Sequence, residues 1–145
     1  MEIRNFDKEF VERTKKIIER PSSIDDEYNI TLLINCMLAL IALPTEKTKC
    51  GQKGRIFRID VVNEMKRMNI IEMSTDDEKS FRTIKNALSH MNIEIKNRGG
   101  SISEILFWDK YPSGKEYHTI LKFNPQQLRA FALFVADKHI ERLTK

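Results

Sequence analysis

The sequence is poor in the residues from which disulfide-linked and metal-stabilised folds are built. Its 145 residues include two cysteines, Cys36 and Cys50, and no Cys-x-x-Cys pair. A disulfide framework and a four-thiolate zinc site are therefore excluded. The sequence also lacks GxxxxGKS/T and GxGxxG, the two commonest phosphate-binding loops. We expect the protein to need neither a metal nor a cofactor.

Long apolar segments are missing as well. Residues 1–5 are polar and lack the apolar core of a signal peptide. The longest apolar run, residues 30–43, is interrupted by Thr31 and Asn35. It is shorter than the about 20 residues that a transmembrane helix needs, so a buried helix is the better interpretation. We therefore expect a protein of the reducing cytoplasm with no membrane partner.

The length favours a single domain, which we place over residues 1–145. Hydrophobic periodicity predicts a helix over residues 7–19 and a second from about residue 25 to residue 43. The second is apolar on nearly every face, which is typical of a central helix covered by its neighbours or by another subunit. Asn35 in its middle therefore has to find a hydrogen-bond partner.

The next segment has weaker periodicity. Residues 45–58 contain two glycines and few apolar positions, and we expect a loop there. Residues 59–68 have the composition of a short helix. A strand over residues 56–62 is the alternative, and the sequence leaves both open.

Signals in the last part of the chain are stronger. Residues 74–77 form a helix-start signal, which predicts a helix over residues 77–91. Residues 102–108 and 117–123 have strand composition, and residues 112–114 mark a hairpin turn between them. Asn124-Pro125 predicts the start of a last helix, whose core residues are Leu128, Phe131, Val135 and Leu143. The whole order predicts a mainly α fold with a small β-hairpin inserted before the last helix.

The helix predicted over residues 77–91 collects chemically active side chains on one face. At about 100° per residue, five polar side chains share an arc of about 140°: Arg82, Lys85, Asn86, Ser89 and His90. The opposite face carries Ile84, Ala87, Leu88 and Met91. An imidazole can transfer protons near neutral pH, and cations can stabilise a phosphate. The alternative interpretation is the solvated face of an amphipathic helix.

The segment Lys85-Asn86-Ala87-Leu88-Ser89-His90 resembles the signature of the HEPN superfamily. That signature is an Arg, a polar residue that is often Asn, a few further residues and a His at a helix end. Residues 31–44 with Glu46-Lys47, and residues 102–109, are similar to segments of a plasmid- and phage-borne HEPN branch. The resemblance spans residues 6–143 and implies an up-and-down helical bundle of the HEPN type.

The resemblance also implies a function. Many HEPN proteins are metal-independent endoribonucleases of toxin–antitoxin or anti-phage defence systems, and they act as homodimers in which the two motifs face each other. By resemblance, His90 assists attack of a ribose 2′-OH on the adjacent phosphate, and a cation stabilises the phosphoryl oxygens. Asn86 orients the phosphate or the imidazole. The partners so implied are RNA, a second copy of the chain and an antitoxin or other defence protein.

The sequence departs from the signature at one catalytic position, because Lys85 stands where the family has Arg. Lysine offers a point charge, whereas arginine offers a two-pronged donor. The activity is then weakened, or Arg82 takes the role, or catalysis has been lost. The last case is the alternative function: a catalytically inactive HEPN module that binds RNA or a partner protein.

Basic residues accumulate in one further segment. The chain carries 25 Lys and Arg against 21 Asp and Glu, and the surplus falls within residues 45–68. A mildly basic chain permits a polyanionic partner without requiring one. We expect the following side chains to contact the RNA backbone, with a merely solvated surface as the alternative: Lys47, Lys49, Lys53, Arg55 and Arg58.

Overall fold

Five α-helices and a three-stranded sheet make up the computed structural model, which describes residues 6–20, 27–42, 52–110 and 117–144. The helices are α1 (Phe6–Glu19), α2 (Glu27–Met37), α3 (Gln52–Arg67), α4 (Asp77–His90) and α5 (Pro125–Thr144). A π-helical turn, Leu38–Ala42, continues α2. The mainly α fold is confirmed, and so is the position of a hairpin before the last helix.

The sheet has one more strand than the sequence led us to expect. Strands β1 (Ile93–Arg98), β2 (Ser101–Lys110) and β3 (Tyr117–Phe123) pair antiparallel in the order β1-β2-β3. β2 and β3 confirm the predicted hairpin, whose turn lies outside the described residues. β1 was missed because it is short and mostly exposed. Its turn into β2 is Gly99-Gly100, with φ of 63° and 86°, which suits the mirror-image turns of two-residue hairpins.

The last helix joins the sheet through a row of aromatic rings. The rings of Phe107 in β2 and Phe123 in β3 lie 5.6 Å apart edge to face, and Phe131 of α5 lies 5.5 Å from Phe123. All three side chains are fully buried. Leu128 and Val135 are buried with Phe131, as predicted, whereas the side chain of Leu143 lies outside the described residues. One part of the core therefore lies between the sheet and α5.

Helix α2 is covered on one side only. Ile30, Leu33 and Met37 are buried, but Leu32 is 44% exposed and Asn35 faces solvent. The expectation that neighbouring elements cover every face is therefore wrong within the chain. Asn35 needs no buried partner, because water can satisfy its amide.

Helix α3 confirms the helix predicted over residues 59–68, apart from its last residue, and corrects the prediction for the residues before it. The expected loop is wrong from residue 52 onward, and the alternative strand over residues 56–62 is wrong as well. Phe57, Val61 and Met65, spaced four residues apart, are buried on one helix face. Burial of that apolar stripe outweighs the low helix propensity of Gly54, because tertiary packing routinely overrides propensity.

Candidate functional site

The ends of α4 are tightly defined, and they place the candidate site. At the start, the Asp76 side chain accepts a hydrogen bond from the Lys79 amide at 2.9 Å, which confirms the predicted helix-start signal. At the end, Met91 adopts a left-handed conformation with φ of 57°, and the Asn92 amide donates to the Ala87 carbonyl at 2.9 Å. His90 is therefore the last residue of the helix, and two residues separate it from the start of the sheet.

The turn after α4 is tied directly to the sheet. The Trp108 amide of β2 donates to the Asn92 carbonyl at 3.2 Å. This bond fixes the direction in which the chain leaves the helix. The position of His90 relative to β2 is consequently set by the backbone.

The polar face predicted from the helical wheel is present. Arg82, Ser89 and His90 are exposed, and Lys85 and Asn86 are half-buried. The opposite face is buried, as the wheel required for Ile84, Ala87 and Leu88. Met91 was expected on that apolar face, and this expectation is wrong: its side chain is 63% exposed. The left-handed turn takes Met91 out of the helical periodicity.

Asn86 has a partner that sequence reasoning did not assign. Its Nδ2 donates a hydrogen bond to Oδ2 of Asp109 in β2 at 3.0 Å. The two residues are 23 positions apart, so no local pattern signals the contact. In the sequence, Asp109 is the last residue of the segment 102–109 that resembles a HEPN branch, and no role was assigned to it. The bond connects the candidate site on α4 to the central strand of the sheet.

The cations of the polar face lack the ion pairs that cations of α3 form within the described residues. Within the described parts of the chain, neither Arg82 nor Lys85 forms an ion pair. By contrast, Lys66 of α3 lies 2.8 Å from Asp77, and Arg67 pairs with Glu64. The positive charges of Arg82 and Lys85 are thus not neutralised by any described side chain. This charge is suited to an anionic ligand such as a phosphate.

The five basic residues of the expected RNA-contact segment fall into three groups. Lys47 and Lys49 lie outside the described residues. Lys53 and Arg55 belong to the first turn of α3 rather than to a loop, and their side chains are not described. The Arg58 side chain is 16% exposed, and its Nε lies 3.5 Å from Oε1 of Glu78.

The ion pair of Arg58 joins α3 to the first turn of α4. Glu78 is about 18 Å along the helix axis from His90, at 1.5 Å per residue. The partner of Arg58 is therefore far from His90 but only about one helical turn, about 6 Å along the axis, before Arg82 of the polar face. RNA contact by the five basic residues stays a prediction.

A buried histidine forms a second polar cluster, at some distance in sequence from the candidate site. His139 of α5 is 1% exposed, and its Nε2 hydrogen-bonds to the carbonyl of Leu40 in the π-helical turn. Its Nδ1 accepts from Nη2 of Arg142 at 3.2 Å, and its ring lies 4.3 Å from that of Phe57. These partners define a neutral ring protonated at Nε2.

The pKa of His139 is lowered to about 4, mainly because the ring is buried; the hydrogen bond to the Leu40 carbonyl raises this pKa, and the Arg142 guanidinium lowers it. Sequence reasoning assigned no role to this residue. A signal existed, because His139 follows Phe131 and Val135 at intervals of four on the buried face of α5. We interpret His139 as a structural residue that connects α5, α3 and the π-helical turn.

The rest of the described chain offers no stronger candidate chemistry. The described residues contain no group of three or more His, Cys, Asp or Glu side chains that can hold a metal ion. None of the helices described is both long and apolar enough to cross a bilayer. Cys36 is buried, and desolvation raises the pKa of its thiol, which makes it a poor nucleophile. The polar face of α4 is thus the strongest candidate site.

Comparison with known proteins identifies a family for the chain. A protein-family model described as HEPN pEK499 p136 matches residues 1–144. No curated protein and no solved structure gives a significant match. The family match covers nearly the whole chain, including the polar face of α4 and the strand that carries Asp109.

Proposed function

Because the chain belongs to the HEPN pEK499 p136 family, we propose that it is a metal-independent endoribonuclease that acts as a homodimer. The observation that supports this most directly is the composition of the α4 face. An imidazole, an amide and two cations without ion-pair partners among the described residues share one exposed surface. These are the groups that cleavage of RNA by its own 2′-OH requires.

In the proposed reaction, His90 removes the proton of a ribose 2′-OH. The 2′-oxygen forms a bond to the adjacent phosphorus, and the bond from phosphorus to the 5′-oxygen breaks. The proton ends on the 5′-oxygen, so the products are a 2′,3′-cyclic phosphate and a 5′-OH. Lys85 stabilises the negative charge that develops on the phosphoryl oxygens, with Arg82 as a second contact.

The spacing along α4 favours a dimer. At 1.5 Å per residue, Lys85 is about 7.5 Å and Arg82 about 12 Å along the axis from His90. One phosphate cannot easily contact Arg82 and His90 of the same helix. It can contact Arg82 of one copy and His90 of another if the two α4 helices cross antiparallel. We propose that residues 1–145 form one domain that pairs in this way in the cytoplasm.

The biological setting we propose is a toxin–antitoxin or anti-phage defence system, in which an antitoxin or another defence protein restrains the nuclease. The basic residues from Lys47 to Arg58 are proposed as contacts to the RNA backbone beyond the scissile phosphate. Neutralised phosphates release counterions, so the affinity for RNA is expected to fall steeply with salt.

The test is cleavage of an end-labelled RNA pool by the wild-type protein and by His90→Ala, with and without EDTA. We expect wild type to cut with and without the chelator and to leave cyclic phosphate ends. Cleavage that EDTA abolishes and a divalent ion restores would reject the metal-independent mechanism.

A second candidate function is supported by Lys85, which stands at the arginine position of the HEPN signature. In that case the protein is an inactive HEPN module that binds RNA or a partner protein. Salt-sensitive RNA binding without cleavage is the result that favours this second function. The Lys85→Arg variant should then also bind RNA without cleaving it.

A further inference from the structure

We propose that Asp109 is a positioning residue: its carboxylate fixes the direction of the Asn86 amide and, through that amide, the imidazole of His90. This inference rests on the proposed ribonuclease function. It names a residue outside the sequence signature, on a different element of the fold. Its basis is the hydrogen bond of 3.0 Å from Asn86 Nδ2 to Asp109 Oδ2.

The position of Asp109 is determined by the sheet. It lies two residues after the buried Phe107, so both side chains point to the same face of β2, toward α4. β2 is the central strand, but β1 ends opposite Phe107, so Asp109 lies beyond β1 and pairs with Thr119 of β3, and the β2–β3 register shifts between Asp109 and Lys110. Such irregularities commonly re-aim a side chain. The carboxylate therefore lies next to such a register shift, in hydrogen-bond contact with α4.

The chemistry of the bond decides how the Asn86 amide is turned. An ionised carboxylate only accepts hydrogen bonds, so the nitrogen of the amide has to face Asp109. The amide oxygen, Oδ1, then points away from β2. No hydrogen bond from the described residues reaches this oxygen, which leaves an acceptor available on the polar face.

The outward-facing Oδ1 limits the groups that Asn86 can orient, because this oxygen only accepts hydrogen bonds. Residues four apart on a helix are neighbours, with Cβ atoms about 6 Å apart, so His90 is within reach of Asn86. The amide oxygen can accept the N–H of the imidazole or a ribose hydroxyl, but it repels an anionic phosphate oxygen. Of the two roles that the resemblance implied for Asn86, orienting the imidazole is thus favoured over orienting the phosphate.

The experiment is a double-mutant cycle on RNA cleavage. We expect Asp109→Ala to lower kcat about tenfold or more, because small displacements of catalytic groups are costly, with KM changed less than about twofold. Asp109→Asn should retain kcat within about threefold, since its amide oxygen still accepts from Asn86. In the Asn86→Ala background, Asp109→Ala should cause no further loss. Glu104→Ala removes another β2 carboxylate and is the matched control.

Asn86 also provides a readout that does not depend on activity. The NMR signals of its side-chain amide should shift in Asp109→Ala and stay unchanged in Glu104→Ala. If wild type cuts RNA while Asp109→Ala keeps full kcat, or if the two losses are additive, the positioning role is overturned and the nuclease stands. If wild type cuts no RNA, the proposed function fails, and an unshifted Asn86 amide overturns the orientation of Asn86 as well.

Discussion

Lowering the pH from 7 to 5 should destabilise the fold through His139, because the buried ring resists the proton that the unfolded chain accepts. The ring is buried, its Nε2 is bonded to the Leu40 carbonyl and its Nδ1 accepts from Arg142. A second ring proton takes away the acceptor at Nδ1 and brings a positive charge against the Arg142 guanidinium. In the folded state His139 thus has a pKa of about 4, against 6.5 for an unperturbed histidine.

The sign and size of the effect follow from these two values. The folded pKa is depressed, so below pH 6.5 the unfolded chain binds more protons than the folded one. The contribution to stability is complete above pH 6.5 and is lost as the pH falls toward 4. At 1.36 kcal/mol per pKa unit, the full loss is about 3 kcal/mol, of which about 2 kcal/mol is lost by pH 5.

Urea unfolding followed by circular dichroism at pH 7, 6 and 5 measures this loss. His139→Gln is the comparison variant, because its side-chain N–H can still donate to the Leu40 carbonyl but does not titrate. We expect the free energy of unfolding to fall by about 2 kcal/mol more in wild type than in His139→Gln between pH 7 and pH 5. All other titratable groups are shared, so the difference isolates His139. Equal losses of stability in the two proteins would contradict this prediction. An NMR titration that gives the wild-type His139 ring a pKa near 6.5 would contradict it as well.

Three further predictions concern the proposed nuclease. His90→Ala should lower the cleavage rate by about 10²- to 10⁴-fold, the usual contribution of one acid–base group, as measured by single-turnover kinetics. Lys85→Ala should lower kcat by about a hundredfold or more, whereas Lys85→Arg should preserve or raise it by restoring the two-pronged donor. Light scattering at micromolar concentration should give about twice the 17.1 kDa of one chain.

Each of these has an outcome that contradicts it. Arg13→Ala removes an exposed cation from α1 and is the control for general charge effects. If this variant lowers kcat as much as Lys85→Ala, the loss is not specific to the α4 face. If Lys85→Ala leaves kcat unchanged and Arg82→Ala lowers it, the phosphate contact belongs to Arg82 rather than to Lys85. A clean monomer that still cleaves RNA would exclude a site shared between two copies.

Local signals in the sequence accounted for α4, the last helix and the β2–β3 hairpin. Asn124 and Gln127 illustrate why. The backbone N–H of Gln127 donates to Oδ1 of Asn124 at 2.7 Å, and the backbone N–H of Asn124 donates to Oε1 of Gln127 at 2.9 Å. Such a reciprocal cap is made by residues three positions apart, so it can be recognised in the sequence. The polar face of α4 is legible for the same reason, because helical periodicity alone aligns its residues.

The remaining features depended on contacts between distant segments. α3 forms where local propensity is weak, because Phe57, Val61 and Met65 are buried by the rest of the chain. The pairing of Asn86 with Asp109 exists only because the turn after His90 sets β2 against α4. Helical periodicity is enough to tell which side chains share the α4 face. The orientation of the Asn86 amide depends on the tertiary fold, since its partner is on another element.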